Sequence, residues 1–351
     1  MVEKNKTIKG MTKPALSVFT GHTQQIPPIW LMRQAGRYLP EYRALRVKAG
    51  DFLELCYNSE FAAEVTLQPV KRFSLDAAIL FSDILVVPHA LGQELEFVEG
   101  EGPKLRPVRD VEDLKRLSTE LNHNNLSAVY ETVAKVYEQL EETVTLIGFA
   151  GAPWTVATYM VEGGASRNFE YVKQWAFSSP ETFDILIQRL VEGTTEHLCR
   201  QIEAGAEVVQ LFESWAGILP PSDFDRWCIK PVRAIVETLR RRFPGVPVIG
   251  YPRGAGVMYT GYARATLVDV LGLDHTLPLQ WISETLQRDV VVQGNLDPQL
   301  LVVGGTPMIN AVKSIKKTLG GRPFVFNLGH GVLPGTPLEH VSELVDLVRE
   351  E

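Results

Sequence analysis

Two arginines lie four residues apart within Trp30–Tyr42, which reads W-L-M-R-Q-A-G-R-Y-L-P-E-Y and overlaps the end of an apolar run, Ile26–Met32. A guanidinium stays charged at physiological pH and presents a rigid fork of donors that matches a carboxylate. Arg33 and Arg37 therefore indicate a receptor for an acidic ligand. The alternative is a solvated helix face, because residues four apart share one side of a helix. The apolar run that leads directly into the pair favours the receptor.

A single carboxylate within an apolar stretch is the next candidate. Asp83 stands in A-I-L-F-S-D-I-L-V-V-P, where burying a carboxylate is costly unless partners satisfy it. The sequence favours two interpretations equally. Asp83 caps a helix N-terminus, or it stabilises positive charge that develops on a substrate.

Three other residues carry possible chemistry, and each has a structural alternative. His330 lies between two glycines, where it could act as an acid or contact a substrate oxygen, or simply occupy a turn. Tyr159 could be a phenol donor or a core residue, and Ser214 could contact a ligand or cap a helix. Asn295 and Asp297 are more typical of a turn before proline.

The elements that must position these residues are short apolar strands that alternate with helices. Most of the runs are continuously apolar, which is typical of parallel strands covered on both faces. The predicted strands are Pro27–Met32, Ala77–Phe81, Thr145–Phe149, Glu207–Phe212, Val246–Tyr251, Val268–Leu273, Val290–Gln293 and Pro323–Asn327. The strongest helix signals are Phe61–Phe73, Ser127–Glu142, Pro180–Ala204, Pro220–Arg242 and Pro307–Leu319.

Eight strands alternating with helices predict an α/β fold, a (β/α)₈ barrel formed by one domain over residues 11–351. An open doubly wound sheet would want G-x-G-x-x-G after its first strand, and that motif is absent there. In a barrel the carboxyl ends of the strands meet at one mouth, which would bring the candidate residues together. Leu91–Arg109 breaks the alternation and predicts a β-hairpin after the second strand. We expect residues 1–10 to form a flexible tail.

The composition limits the classes of partner. With 45% hydrophobic and 22% charged residues, the chain is typical of a globular protein, and its net charge of -7 argues against nucleic acid and anionic membranes as partners. No apolar run is long enough to span a bilayer. Cys56, Cys199 and Cys228 fit neither a disulfide framework nor a zinc site, which predicts a reducing, cytoplasmic location. We expect no metal, since no ligand motif is present.

Seven motifs, in order along the chain, carry a resemblance to a known family. They are M-R-Q-A-G-R-Y-L-P-E-Y-R, L-D-A-A-I-L-F-S-D-I-L-V-V-P, L-I-G-F-A-G-A-P-W-T, T-Y-M-V-E-G-G, L-F-E-S, V-Q-G-N-L-D-P and N-L-G-H-G. From the region of Ala15 to the C-terminus the chain resembles the uroporphyrinogen decarboxylases. The resemblance implies a barrel enzyme, usually a homodimer, that acts without a cofactor. Its substrate would be uroporphyrinogen, a cyclic tetrapyrrole with eight carboxylates, from whose four acetate arms it would remove carbon dioxide.

The resemblance also implies roles for individual residues. Those that would contact substrate carboxylates are Arg33, Arg37, Arg46, Tyr159, Ser214 and His330. The backbone of Gln34, Ala35 and Gly36 would line the pocket, and Phe212 would pack on the macrocycle. Asp83 would accept the pyrrole N–H groups and stabilise the cation formed when a pyrrole carbon is protonated. Arg33 would be the first candidate for the proton donor.

The match is imperfect at Tyr251–Gly256, where Y-P-R-G-A-G replaces the turn usual in the family. Arg253 there either adds a carboxylate contact or only changes the loop. Two other functions stay open. One is a zinc-dependent corrinoid or thiol methyltransferase of the same barrel superfamily, although the cysteines do not fall near the late strands. The other is a tetrapyrrole-binding protein without catalysis.

Overall fold

The computed structural model describes residues 13–98 and 100–350. Within them, seven parallel strands form one sheet and two antiparallel strands form a hairpin. In chain order the strands are β1 (Ala77–Ile79), β2 (Leu95–Val98), β3 (Gly102–Leu105), β4 (Thr145–Gly151), β5 (Val208–Glu213), β6 (Val248–Pro252), β7 (Val270–Gly272), β8 (Val291–Leu296) and β9 (Phe324–Leu328). The sheet order is β1-β4-β5-β6-β7-β8-β9, and β2 pairs with β3. The hairpin prediction is confirmed, and the predicted tail at residues 1–10 lies outside the described residues.

The first predicted strand, Pro27–Met32, is reduced to an isolated parallel bridge between Ile29 and Phe326. Its prolines lack N–H groups, and the Ile29 amide donates to the Asp76 carboxylate at 2.7 Å instead of to a neighbouring strand. The segment still pairs on both sides. The Phe326 amide donates to the Pro28 carbonyl at 2.8 Å, and the Asp76 amide donates to the Ile29 carbonyl at 3.0 Å. These bonds close the sheet into a barrel.

The other seven strand predictions are confirmed as β1 and β4 to β9, with small differences in length. The strand predicted to reach Phe81 ends at Ile79. A side chain explains the early end, because the Phe81 amide donates to the Thr66 hydroxyl at 3.0 Å rather than to the sheet. The chain therefore turns away from the sheet at Phe81, two residues before Asp83, and the mouth begins there.

Helices follow most strands and cover the outside of the sheet. They are α1 (Pro14–Phe19), α2 (Pro40–Ala49), α3 (Phe52–Tyr57), α4 (Ser59–Phe73), α5 (Val86–Ala90), α6 (Val111–Leu114), α7 (His123–Gln139), α8 (Pro153–Glu162), α9 (Glu170–Ser178), α10 (Pro180–Ala204), α11 (Pro221–Phe224), α12 (Lys230–Arg242), α13 (Tyr262–Thr266), α14 (Leu279–Trp281), α15 (Pro298–Val303), α16 (Gly305–Leu319) and α17 (Leu338–Arg349). In α12, Val232, Ile235, Val236 and Leu239 recur at helical spacing and are buried. This buried face packs against neighbouring helices, chiefly α10.

One long helix prediction is wrong in its continuity. Pro220–Arg242 divides into α11, a π-helical stretch at Asp225–Ile229, and α12. Pro231, in the first turn of α12, has no N–H group for an ordinary i→i−4 bond. The wider π turn accommodates the missing hydrogen bond, and α12 continues directly from it.

A polar layer crosses the barrel interior below the mouth. The Trp30 indole donates to Gln293 Oε1 at 2.9 Å, and Gln293 Nε2 donates to Gln210 Oε1 at 3.2 Å. Gln210 and Gln293 stand on β5 and β8, which are not neighbours in the sheet, so their contact runs through the inside of the barrel. Both glutamines are buried. These hydrogen bonds fix the side chains that lie inside the barrel beneath the mouth.

Candidate active site

The turn that carries Arg33 is tied to the barrel by its neighbour Gln34. The Gln34 side chain is fully buried, where it accepts the Leu31 amide at 3.1 Å and donates to the Ala77 carbonyl at 3.1 Å. Gln34 thus holds the turn against β1, and its side chain does not face the mouth. Ala35 and Gly36 continue the turn, half-buried.

Arg33 itself has a left-handed backbone, with φ of 57°, which is uncommon for a residue with a side chain. The loop after β9 lies directly on it. The Val332 amide donates to the Met32 carbonyl at 2.8 Å, and the Met32 amide donates to Asn327 Oδ1 at 2.9 Å. These bonds join the loops after the first and last parallel segments. Arg33 and His330 are therefore brought together at the mouth.

Asp83 lies in the loop after β1, half-buried. Its Oδ1 accepts the Leu85 amide at 2.8 Å, and Leu85, not Asp83, is the N-cap of α5. Within the described residues the second carboxylate oxygen has no hydrogen bond. Burial raises the pKa of Asp83, while the Leu85 bond and the charge of Arg33 act in the opposite direction. The result is a carboxylate with one oxygen fixed by the backbone and the other open.

Tyr159 and Phe212 form the aromatic part of the mouth. The ring centroid of Tyr159 lies 6.3 Å from that of Trp215, and that of Phe212 lies 5.6 Å from Phe149 and 6.0 Å from Tyr251 in edge-on contacts. Burial raises the pKa of Tyr159, and the negative charge of the nearby Asp83 adds to this effect. Tyr159 therefore remains a protonated donor at physiological pH.

His330 is uncharged in this setting. Burial lowers the pKa of His330 to about 3, and the positive charges of Arg253 and Arg33 act in the same direction. The imidazole therefore carries one N–H group at neutral pH, so it can donate one hydrogen bond and accept another. This disfavours a role as an imidazolium acid.

Arg37 is exposed and Arg46 is half-buried, and both lie near Tyr42. Burial raises the pKa of Tyr42, and the positive charges of Arg46 and Arg37 act in the opposite direction. The ring centroid of Tyr42 lies 5.8 Å from that of Phe81. Phe81 lies two residues before Asp83, so Tyr42 links the two arginines to the loop that carries Asp83. Across the described parts of the chain, neither side chain forms an ion pair.

Sequence reasoning missed Glu213, which immediately precedes Ser214. Its side chain is fully buried and accepts the Thr155 amide at 2.7 Å and the Thr155 hydroxyl, so it joins the end of β5 to the first turn of α8. Burial raises the pKa of Glu213 to about 8. Ser214 is half-buried beside it. A lone acid in the apolar run L-F-E-S was the available signal.

Two features are absent from residues 13–98 and 100–350. Three or more histidine, cysteine or acidic side chains do not come together there in a way that could hold a metal ion. The same residues contain no helix that is long and apolar enough to cross a membrane. All three cysteines are buried, free thiols.

Comparison with known proteins gives a consistent result. The model of the family described as "Uroporphyrinogen decarboxylase (URO-D)" matches residues 11–351. A uroporphyrinogen decarboxylase of Rhodospirillum rubrum is 53% identical over 337 residues, covering 96% of this chain and 97% of the relative. One from Chelativorans is 52% identical over 335 residues, covering 95% and 97%.

Among solved structures, a methyltransferase from Methanosarcina mazei aligns with a TM-score of 0.77 and 19% identity, covering 95% of this chain and 96% of that one. At that identity the likeness concerns the fold alone, and it supports the α/β barrel. The family model and the curated relatives go further, since they span nearly the whole chain at about 50% identity or above. The chain belongs to the uroporphyrinogen decarboxylase family.

Proposed function

We propose that this protein decarboxylates uroporphyrinogen III, converting its four acetate side chains to methyl groups to give coproporphyrinogen III without a cofactor. Family membership supports the reaction class. The observation that carries the proposal is the Asp83 carboxylate, held at one oxygen by Leu85 and open at the other. It stands beside a cation and an aromatic wall at the mouth of the barrel.

The chemistry requires a positive charge on the substrate. Loss of carbon dioxide from a pyrrole acetate releases the electron pair of the broken C–C bond, which needs an acceptor. Protonation of a pyrrole ring carbon makes the ring a cation that takes up this pair. Protonation of the resulting methylene and loss of the ring proton then give a methyl group and restore the pyrrole.

Asp83 is suited to stabilise that cation. Its open oxygen accepts pyrrole N–H groups, and its charge lies close to the ring on which positive charge develops. Because Leu85 already fixes the carboxylate, little reorganisation is needed when the charge forms, and a partly desolvated site strengthens the interaction. Phe212 packs on the macrocycle and keeps water from that face.

The other site residues bind the substrate's carboxylates. Arg33, Arg37 and Arg46 supply charged donors, while Tyr159, Ser214 and the uncharged His330 supply neutral ones. The backbone of the Gln34–Gly36 turn lines the same side. Arg33 is our candidate for the proton donor because its charge lies near Asp83, although a guanidinium gives up a proton reluctantly.

We further propose that the protein is a homodimer whose barrel mouths face each other, located in the cytoplasm. Val47 on α2 is next to Arg46 in the chain, Val257 comes five residues after the end of β6, and each is 82% exposed. Both apolar side chains are available for burial against a second copy of the chain. The three free thiols fit a reducing compartment.

The test is an anaerobic incubation of purified protein with uroporphyrinogen III, with products separated by chromatography. We expect stepwise appearance of species with seven, six, five and four carboxylates. Tight binding without any product would instead indicate a tetrapyrrole-binding protein. Methyl transfer that depends on added zinc, with no decarboxylation, would indicate the methyltransferase alternative.

A further inference from the structure

Arg253 follows β6, whose end lies across the mouth from Arg33. The ring of parallel segments begins with the one at Ile29 and continues through β1, β4 and β5 to β6, so β6 is the fifth of eight. The carboxyl ends of the strands point into one mouth, and segments four apart in the ring face each other. Arg253 therefore lies on the side of the mouth opposite the segment that carries Arg33, Arg37 and Arg46.

The backbone of Arg253 is fixed by the neighbouring strand end. Its amide donates to the Glu213 carbonyl at 3.1 Å, and its carbonyl accepts the Gly217 amide at 3.2 Å. Gly217 and Gly254 touch, since a Cβ at Gly217 would lie 2.3 Å from the Gly254 carbonyl oxygen. The loops after β5 and β6 therefore pack as one unit, with Arg253 between them.

A buried carboxylate holds the next residue. Asp274 Oδ2 accepts the Gly254 amide at 2.8 Å and the Tyr259 hydroxyl at 3.2 Å, while its Oδ1 accepts the Thr276 amide at 2.9 Å. These bonds lower the pKa of Asp274 despite its burial, so it stays ionised. Asp274 therefore accepts hydrogen bonds from the turn and from Tyr259, and not from the Arg253 guanidinium. These bonds fix the backbone of the turn, and among residues 13–98 and 100–350 no carboxylate pairs with Arg253.

The Arg253 side chain is half-buried, and within the described residues it forms no ion pair or hydrogen bond. It lies close enough to two mouth residues for its charge to act on them: after burial, it is the next cause of the lowered pKa of His330, and it opposes the rise that burial causes in the pKa of Tyr159. Arg33, not Arg253, is the charge that acts on Asp83. Arg253 therefore lies within the mouth but away from the Asp83 carboxylate.

The eight carboxylates of the proposed substrate require positive charge on more than one side of the mouth. The proposed cationic contacts, Arg33, Arg37 and Arg46, all come from one short segment, and the chain carries a net charge of -7. A macrocycle with carboxylates around its whole edge needs a cation on the opposite side as well, because a carboxylate left unpaired at a partly buried site is costly.

We propose that Arg253 binds a substrate side-chain carboxylate on the edge of the macrocycle opposite Arg33, one that does not react while it is held there. Asp274 is the positioning residue for this contact, since it fixes the Gly254 turn. The inference rests on the proposed function, because it takes the octacarboxylate as the ligand.

The test compares Arg253→Gln and Arg253→Lys with wild type in steady-state kinetics and in equilibrium titration with the oxidised porphyrin, uroporphyrin III, followed by fluorescence. Arg253→Gln should raise KM and the porphyrin Kd by about 10-fold or more while kcat changes by less than about 3-fold, since a non-reacting contact mainly affects binding. Arg253→Lys should fall between the two, because it keeps the charge but loses the planar fork. The salt dependence of Kd should be shallower for Arg253→Gln.

The matched control is Arg264→Gln on α13, which removes the same charge from an exposed arginine that pairs with Asp289 at 3.3 Å. It should leave KM, Kd and the salt dependence unchanged.

Arg253 variants with the same KM and Kd as this control would overturn the inference, while wild-type turnover would still support the decarboxylase. If Arg253→Gln unfolds, Arg253→Lys decides, since equal KM and Kd in that variant and wild type would contradict recognition by the planar fork. Failure of wild type to turn over or bind would instead reject the proposed function.

Discussion

Gly331 packs directly on the side chain of Arg33, so closely that a Cβ at position 331 would lie 2.3 Å from Arg33 Cδ. The contact couples the loop after β9 to the first arginine of the site. Gly331 does not have a positive φ, so its lack of a side chain, rather than backbone freedom, is what the site needs.

Gly331→Ala should therefore displace Arg33 without unfolding the barrel. We expect kcat/KM to fall by about 10-fold to 100-fold, because misplacing a binding group by about 1 Å costs that much. The unfolding temperature should change little. Gly335→Ala is the control, since no atom lies within 4 Å of a Cβ at that position. Full activity in Gly331→Ala would mean that the position of Arg33 is unimportant.

His330 leads to a prediction about pH. Because its pKa lies at about 3, it stays neutral across the range from pH 5 to 8 and does not shape the pH profile there. His330→Gln, which keeps a neutral donor and acceptor, should give a profile of the same shape with kcat/KM lowered by about 10-fold at most. Loss of an ionisation near neutral pH in the variant, seen by comparing log(kcat/KM) against pH, would show that His330 titrates during the reaction.

Glu213 leads to a prediction about stability. Its pKa of about 8 is raised above the ordinary value of 4.5, so the folded protein holds a proton that the unfolded chain loses. Stability from this group is fully present below pH 4.5 and is lost as the pH rises towards 8, by up to about 1.4 kcal/mol per pH unit. Glu213→Gln carries no such charge and should lose less stability between pH 5 and 8 than wild type. The measurement is the unfolding temperature of both proteins at pH 5 and at pH 8. An equal change between the two pH values in wild type and Glu213→Gln would contradict the prediction.

The proposed homodimer can be tested at Val257. Val257→Asp places a charge on the rim and should raise the dimer dissociation constant by about 100-fold, measured by sedimentation. Val303→Asp is the control, because Val303 is also exposed, at 57%, and ends α15, which is not part of the proposed interface. Wild type that sediments as a monomer at micromolar concentration, or Val257→Asp that dimerises like wild type, would contradict the proposed interface.

Much of the architecture was predictable because the strands are short, continuous apolar runs, and this pattern is visible without knowledge of the fold. The first strand was over-predicted for a local reason: its prolines have no N–H groups, and the Ile29 amide donates to the Asp76 carboxylate instead of to a neighbouring strand. The break before α12 follows from Pro231 and was also open to sequence reasoning.

The site was only partly predictable. Asp83, Arg33, Tyr159 and His330 follow strands, and the closed barrel brings them into one mouth. The Asp274–Gly254 contact could not be predicted, because it joins two loops through a backbone amide and leaves no pattern in the sequence. Glu213 was overlooked although the argument used for Asp83, a lone acid in an apolar run, applied to it equally.

The most direct test of the account is the turnover of Asp83→Asn. Asparagine keeps an oxygen for the Leu85 amide, so the loop should stay in place while the negative charge is lost. We expect kcat for uroporphyrinogen III to fall by about 100-fold to 1000-fold, with uroporphyrin III still bound within about 10-fold of the wild-type Kd. A folded Asp83→Asn protein that decarboxylates at the wild-type rate would contradict the claim that this carboxylate stabilises the reacting cation.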